Sequence, residues 1–153
     1  MKKPQKPVVR KSELAFNRKA TFDTSIDHTL VAGLVLTGDE IKSIRAGRVQ
    51  LTGGYVKLLS GEPYVVGMHL SLAHTPDRSR KLLLKASEIA QLTKELQTKG
   101  RVAVPVKVFL QHGWAKLSVG VGSGRKRYDK RELLKKRDID REQRGELKRR
   151  ITP

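Results

Sequence analysis

No cysteine occurs among the 153 residues. Disulfides, cysteine-based zinc sites, thiol nucleophiles and cysteine-borne lipid anchors are thereby excluded. A reducing, cytoplasmic setting is consistent with this. Long apolar runs are missing as well, since none approaches the ~20 residues that a spanning helix needs. The stretch from Met1 to Lys11 is basic, but no apolar segment follows it, so it does not read as a secretory signal. Acidic residues are scarce. Fifteen Asp and Glu stand against 33 Lys and Arg, a formal net charge of +18. Such an excess is costly in self-repulsion and points to a polyanionic partner: RNA, DNA or an anionic membrane surface. The lack of any spanning or anchoring segment makes the membrane the weakest of the three.

Catalytic patterns are equally thin. The four histidines, His28, His69, His74 and His112, have no metal-ligand spacing. Asp39 and Glu40 are adjacent, and neighbours on a helix point apart, so capping is the plainer role. Gly120-Val-Gly-Ser-Gly124 resembles a phosphate loop but lacks the Gly-Lys-Ser/Thr ending of a nucleoside triphosphate site. A flexible hinge is its expected role. The reading is of a protein that is not an enzyme and takes neither metal nor cofactor.

What is present is charge, unevenly placed. Residues 1–19 hold seven basic residues and one acid, and residues 123–153 hold 13 and six. The 50 terminal residues therefore carry +13 of the +18, while the middle has the composition of an ordinary folded domain. Three segments follow: a basic, disordered arm over 1–14, a folded domain over 15–122 and a basic tail over 123–153.

Within the domain, Leu30–Leu36 reads as a buried strand. Thr37-Gly-Asp-Glu40 has the capping-box pattern of a short helix bearing Ile41 and Ile44, with Gly47 at its end. Tyr55–Leu59 and Tyr64–Met68 read as strands joined by Ser60-Gly-Glu-Pro63. His74–Ser79 is a loop, and Lys81–Leu84 a short strand or docking segment. Ser87 is placed to cap a helix reaching about Lys99, with Ile89, Leu92 and Leu96 as its buried stripe. Val102, Val104, Val106, Val108 and Leu110 alternate strictly, as do Ala115, Leu117, Val119 and Val121. The two runs predict an antiparallel hairpin turning at His112-Gly113, with Pro105 at an edge or bulge. Five or six strands and two helices fit a mainly β chain with short helices, a small β-barrel of the oligonucleotide-binding type.

Asp129–Arg150 is rich in helix formers and i,i+4 ion pairs but has no continuous apolar stripe. The expectation is a tail that is disordered when free and helical when docked on an anionic surface, reaching roughly 33 Å. Gly145 interrupts it and marks a bend. Arg78, Arg80 and Lys81 form one basic cluster; Arg125, Lys126, Arg127, Lys130 and Arg131 form another around Tyr128. Cations that neutralise phosphates give strong, salt-dependent binding, and Tyr128 can stack on an unpaired base.

Several motifs in order resemble the SsrA-binding protein (small protein B) family. They are Asn17-Arg-Lys-Ala20, Ala32-Gly-Leu-Val-Leu-Thr-Gly-Asp-Glu-Ile-Lys-Ser-Ile-Arg-Ala-Gly47, Tyr55-Val56, Gly61-Glu62, Arg78-Ser-Arg-Lys-Leu-Leu-Leu84, Gly124-Arg-Lys-Arg-Tyr-Asp-Lys-Arg131, Lys136-Arg-Asp138 and Arg141-Glu142. The resemblance implies a barrel that holds the tRNA-like domain of transfer-messenger RNA. It implies a tail that probes the empty messenger channel of a stalled ribosome and folds there. Its implied partners are that RNA, small-subunit rRNA and, through the shared RNA, elongation factor Tu and alanyl-tRNA synthetase. Residue by residue, it assigns Asn17, Lys42, Arg45, Arg78, Lys81, Leu83 and Lys116 to RNA binding. Of these, Lys42, Arg45 and Lys116 would meet phosphates. It assigns Gly124, Arg125, Lys126, Tyr128, Asp129, Lys130, Arg131, Lys136 and Arg137 to the decoding centre. Departures stand at Val31, where many relatives carry an acid, at Thr21-Phe22, in place of Arg-His, and at Tyr128, where His is common. A general basic RNA-binding protein and an enzyme acting on RNA are the competing readings.

Overall fold

A computed structural model of the chain describes residues 13–72 and 74–151; the arm expected over 1–14 lies outside these up to residue 12. In chain order the elements are β1 (Glu13–Phe16), α1 (Arg18–Asp23), β2 (Thr24–Leu34), α2 (Gly38–Arg45), β3 (Val49–Gln50), β4 (Tyr55–Leu59), β5 (Glu62–Val66), β6 (His69–Leu70), β7 (Arg80–Leu83), α3 (Ala86–Gln97), β8 (Arg101–Gln111), β9 (Trp114–Gly124) and α4 (Arg127–Ile151).

The alternating valines form the long β8–β9 hairpin, and its turn residues His112 and Gly113 take φ of 51° and 79°. One edge of β8 pairs with β9 throughout. The other edge is shared, with β4 meeting it at Ala103 and β1 at Lys107 to Phe109. From β4 the antiparallel ladder continues through β5, β7 and β2, and β2 returns to β9 over Thr24–Gly33. The sheet thus closes on itself as a barrel, with β1 as an added strand. Closure leaves few open edges. Alternate residues turn inward, so Ala32, Val56, Val65, Leu82, Val108, Leu117, Val119 and Val121 form the core, joined by Ile44 of α2 and Leu92 of α3. Each fully buried aliphatic side chain contributes about 1.5–3 kcal/mol.

Pro105 sits at a register shift between Pro105 and Lys107, where β8 passes from β4 to β1. Its missing donor falls in that gap, as a proline inside a strand requires. The capping box of α2 is present: Thr37 Oγ1 accepts from the Glu40 amide at 3.4 Å and Glu40 Oε2 from the Thr37 amide at 2.8 Å.

Several expectations need correction. The buried strand expected over Leu30–Leu36 instead runs from Thr24 to Leu34, with only Thr24 and Ala32 buried, because pairing with β9 holds its polar first half and its other residues alternate outward. Helix α3 starts at Ala86 with Lys85, not Ser87, at its cap; Glu88 accepts from the Lys85 amide at 2.8 Å. Gly120 and Gly122 are not a hinge. A Cβ on Gly120 would lie 2.8 Å from Ile26 Cδ1, and one on Gly122 would lie 1.9 Å from the Ser25 carbonyl oxygen. They are glycine because β2 crosses too closely for a side chain, and β9 continues to Gly124. Helix α1 and strands β1, β3 and β6 were not foreseen. Helix α4 runs unbroken for 25 residues, about 38 Å, straight through Gly145.

Candidate nucleic-acid interface

Paired residues of antiparallel strands share a face. Across β7, β2, β9, β8 and β1 the register puts Leu83, Gly33, Lys116, Phe109 and Glu13 in one outward row. Val31, Ser118, Lys107 and Phe16 form the next row. Trp114 lies on the same side of β9 as Lys116. This arc gathers most of the barrel's exposed large apolar side chains: Trp114 (73% exposed), Leu83 (55%), Phe16 (52%), Val31 (49%) and, just beyond β2, Val35 (44%). Gly33 leaves a gap over which Leu83 leans, since a Cβ there would sit 3.3 Å from Leu83 Cβ. Cations interleave with the apolar groups. Lys107 Nζ lies 5.7 Å from the Phe109 ring centre and 2.7 Å from Glu13. Arg45, at the end of α2, donates from Nη2 to the Gly113 carbonyl at 3.3 Å, which brings the last turn of α2, with Lys42, to the β8–β9 turn. Apolar patches of this kind mark interaction surfaces, and aromatics interleaved with cations suit nucleic acid.

Behind this surface lies a buried charge cluster. Glu40 is held by Arg78 Nε and Nη2 at 2.6 and 2.7 Å and by Arg80 Nε at 2.9 Å. Arg80 is wholly buried, and its remaining donors reach the carbonyls of Met68, Arg78 and Pro76. Burial would raise the Glu40 pKa, but the Arg78 hydrogen bonds, the Thr37 amide and Arg80 outweigh it and lower it to about 2. The bonds to Glu40 raise the Arg78 pKa, whereas burial lowers that of Arg80. The cluster fixes the loop before β7 against α2 and so positions Lys81 and Leu83.

The tail springs from a second junction. The Arg125 amide donates to the Asp23 carbonyl at 2.8 Å, and Arg125 Nη1 donates to the Thr21 and Phe22 carbonyls at 3.2 and 3.1 Å. Lys130 Nζ lies 3.0 Å from Asp23, and Arg137 stacks over the Phe22 ring at 5.3 Å. The C-terminal end of α1 therefore grips the first three turns of α4. No residue of α4 is buried.

The sequence matches the family model of the SmpB protein over residues 14–149. The chain belongs to the SmpB family. Among curated members it is 48% identical to the SsrA-binding protein of Lactobacillus johnsonii, over 84% of this chain and 90% of the relative. It is 44% identical to that of Latilactobacillus sakei subsp. sakei, over 97% of this chain and 98% of the relative. Among solved structures it is similar to a chain from a study of tmRNA-SmpB in the bacterial ribosome. That likeness has a TM-score of 0.62 and 35% identity, and covers 78% of this chain and 93% of the other.

Against this family background the expected residues divide. Lys42, Arg45, Leu83 and Lys116 converge on the outer face. Lys81 is on the outward side of β7, with its ammonium 2.6 Å from Glu62; hydrogen bonding to that carboxylate raises its pKa. Arg78 turns inward to Glu40. Asn17 is almost wholly buried, and its side chain accepts from the Ala20 amide and donates to the Leu51 and Pro105 carbonyls, at 3.0 to 3.1 Å. It caps α1 and ties that helix to the barrel, and these bonds take up its side-chain donor and acceptor. In the tail, Gly124 ends β9, Arg125, Lys130 and Arg137 engage α1, and Asp129 accepts from the Lys126 amide at 3.3 Å as a cap of α4. Tyr128, Arg131 and Lys136 point into solvent. Phe16, Lys107, Phe109 and Trp114 escaped the reading of the sequence. For Trp114 a signal existed, because it stands out of phase with the apolar alternation of β9.

Proposed function

We propose that this chain binds the tRNA-like part of transfer-messenger RNA on the outer β7–β2–β9–β8–β1 face and carries it to stalled ribosomes. The observation that carries the reading is that face. Its exposed apolar side chains lie among Arg45, Lys107 and Lys116, in a family whose members include SsrA-binding proteins. Lys42, Arg45 and Lys116 neutralise phosphates, while Leu83 packs against sugars or base edges. The tail, with Tyr128, Arg131 and Lys136 outward, enters the messenger channel and meets small-subunit rRNA. A helix with no buried face is marginal in water, so a docked polyanion stabilises α4 further. The action is binding without catalysis, in the cytoplasm. Elongation factor Tu and alanyl-tRNA synthetase join through the RNA.

The test is binding of labelled transfer-messenger RNA with tRNA and unrelated structured RNA as competitors, at about 150 mM salt, where surface charges are screened beyond about 8 Å. The full chain is compared with one ending at Gly124, which keeps β9 whole. Selective binding that survives removal of the tail supports the assignment. Equal binding to every RNA, collapsing when the tail is cut, overturns it in favour of a nonspecific basic protein.

A further inference from the structure

The chain has a single tryptophan, and it is the most exposed large apolar side chain of the barrel. Leaving an indole in water forfeits a burial that the fold uses everywhere else on β9, where Ala115, Leu117, Val119 and Val121 all turn inward. Trp114 opens β9 opposite Gln111, directly after the His112-Gly113 turn. Arg45 hydrogen-bonds the carbonyl of Gly113, and Lys116 is the next outward residue on the same strand. A flat apolar ring is thus presented beside a tight turn, between two cations.

We propose that Trp114 stacks on an unpaired nucleobase of the bound RNA, while Arg45 and Lys116 take the phosphates on either side. This rests on the RNA reading of the face and narrows it to a looped or bulged nucleotide. A base inside an A-form duplex has both faces covered by its neighbours, whereas a splayed base offers one to an aromatic ring. The indole has one donor and no acceptor, so the contact selects for unpaired character more than for base identity.

Because no second tryptophan contributes, the indole emission of the full chain reports this residue alone. It is titrated with transfer-messenger RNA and with a fully paired RNA duplex, while binding is followed independently through a label on the RNA. The expected result is quenching that tracks binding of transfer-messenger RNA and is absent with the duplex. Trp114→Ala weakens binding roughly 5- to 150-fold, the range of a stacked base, and Trp114→Phe restores most of it. Far-UV circular dichroism checks that both variants fold. Tight, selective binding with unchanged emission, or a Trp114→Ala chain that binds as the parent does, overturns the inference. If the labelled RNA itself fails to bind, the RNA reading of the whole face falls first.

Discussion

Replacing Glu40 by Gln removes one negative charge from a cluster of two arginines while keeping the shape of the side chain. Arg78 sits at the surface and can turn to water. Arg80 cannot, because it is fully buried and its other donors are fixed on the Met68, Arg78 and Pro76 carbonyls. Breaking a buried pair from one side costs about 3–5 kcal/mol. The depressed pKa of Glu40, which burial would raise but the Arg78 and Thr37 hydrogen bonds and Arg80 lower from 4.5 to about 2, has the same sign, and the loss is a large part of the 5–15 kcal/mol that holds a typical domain together. Urea unfolding followed by circular dichroism at pH 7 measures it. The pH dependence carries a sign. A carboxylate whose folded pKa is depressed stabilises fully above about 4.5, and its contribution fades as the pH falls toward 2. Glu40→Gln should therefore flatten the acid limb of the stability curve as well as lower the plateau. A loss below about 1 kcal/mol with an unchanged acid limb would refute the claim that Glu40 neutralises Arg80.

Four further outcomes are expected. Asn17→Ala should destabilise the fold by about 2–4 kcal/mol, through a lost cap and two orphaned carbonyls, yet leave the RNA affinity of the folded protein unchanged; thermal melts and binding at low temperature separate the two. Gly122→Ala should abolish soluble folded protein because its Cβ would strike the Ser25 carbonyl, whereas Gly124→Ala, with nothing within 4 Å, should express normally. Gly145→Ala should raise the helicity of the full chain, with a gain of about 1 kcal/mol in α4. Phe22→Ala and Asp23→Asn should each speed amide hydrogen exchange in Lys130–Arg137, since they remove the Arg137 ring contact and the Lys130 ion pair. Unchanged exchange would mean that α1 does not hold the tail.

How much of this could be read from the chain depends on the range of the interaction. The capping box of α2 and the β8–β9 hairpin are local patterns, and both were legible. Pro105 was legible as far as an edge or a bulge, because a missing donor is a property of one residue; which of the two holds is shown by the register shift. The glycines of β9 misled because their meaning lies across the sheet. Gly122 is glycine on account of Ser25, a neighbour made only by the fold. Arg78 depends on distance in the same way. Within a run of Arg78, Arg80 and Lys81 it looks like part of a phosphate-binding patch, and only the approach of α2, 38 residues earlier, shows that its Nε and Nη2 donate to Glu40. Asn17 was assigned to RNA binding through its resemblance to the family's motif, and its part in positioning α1 shows only in the fold. The face itself was half visible. Leu83 and Lys116 were named one by one, but the register of four strand pairings is what sets them beside Phe16, Phe109 and Trp114. Trp114 and Phe109, each out of phase with the apolar alternation of its strand, were the local signs of that face, and phase is a property of the residue order alone.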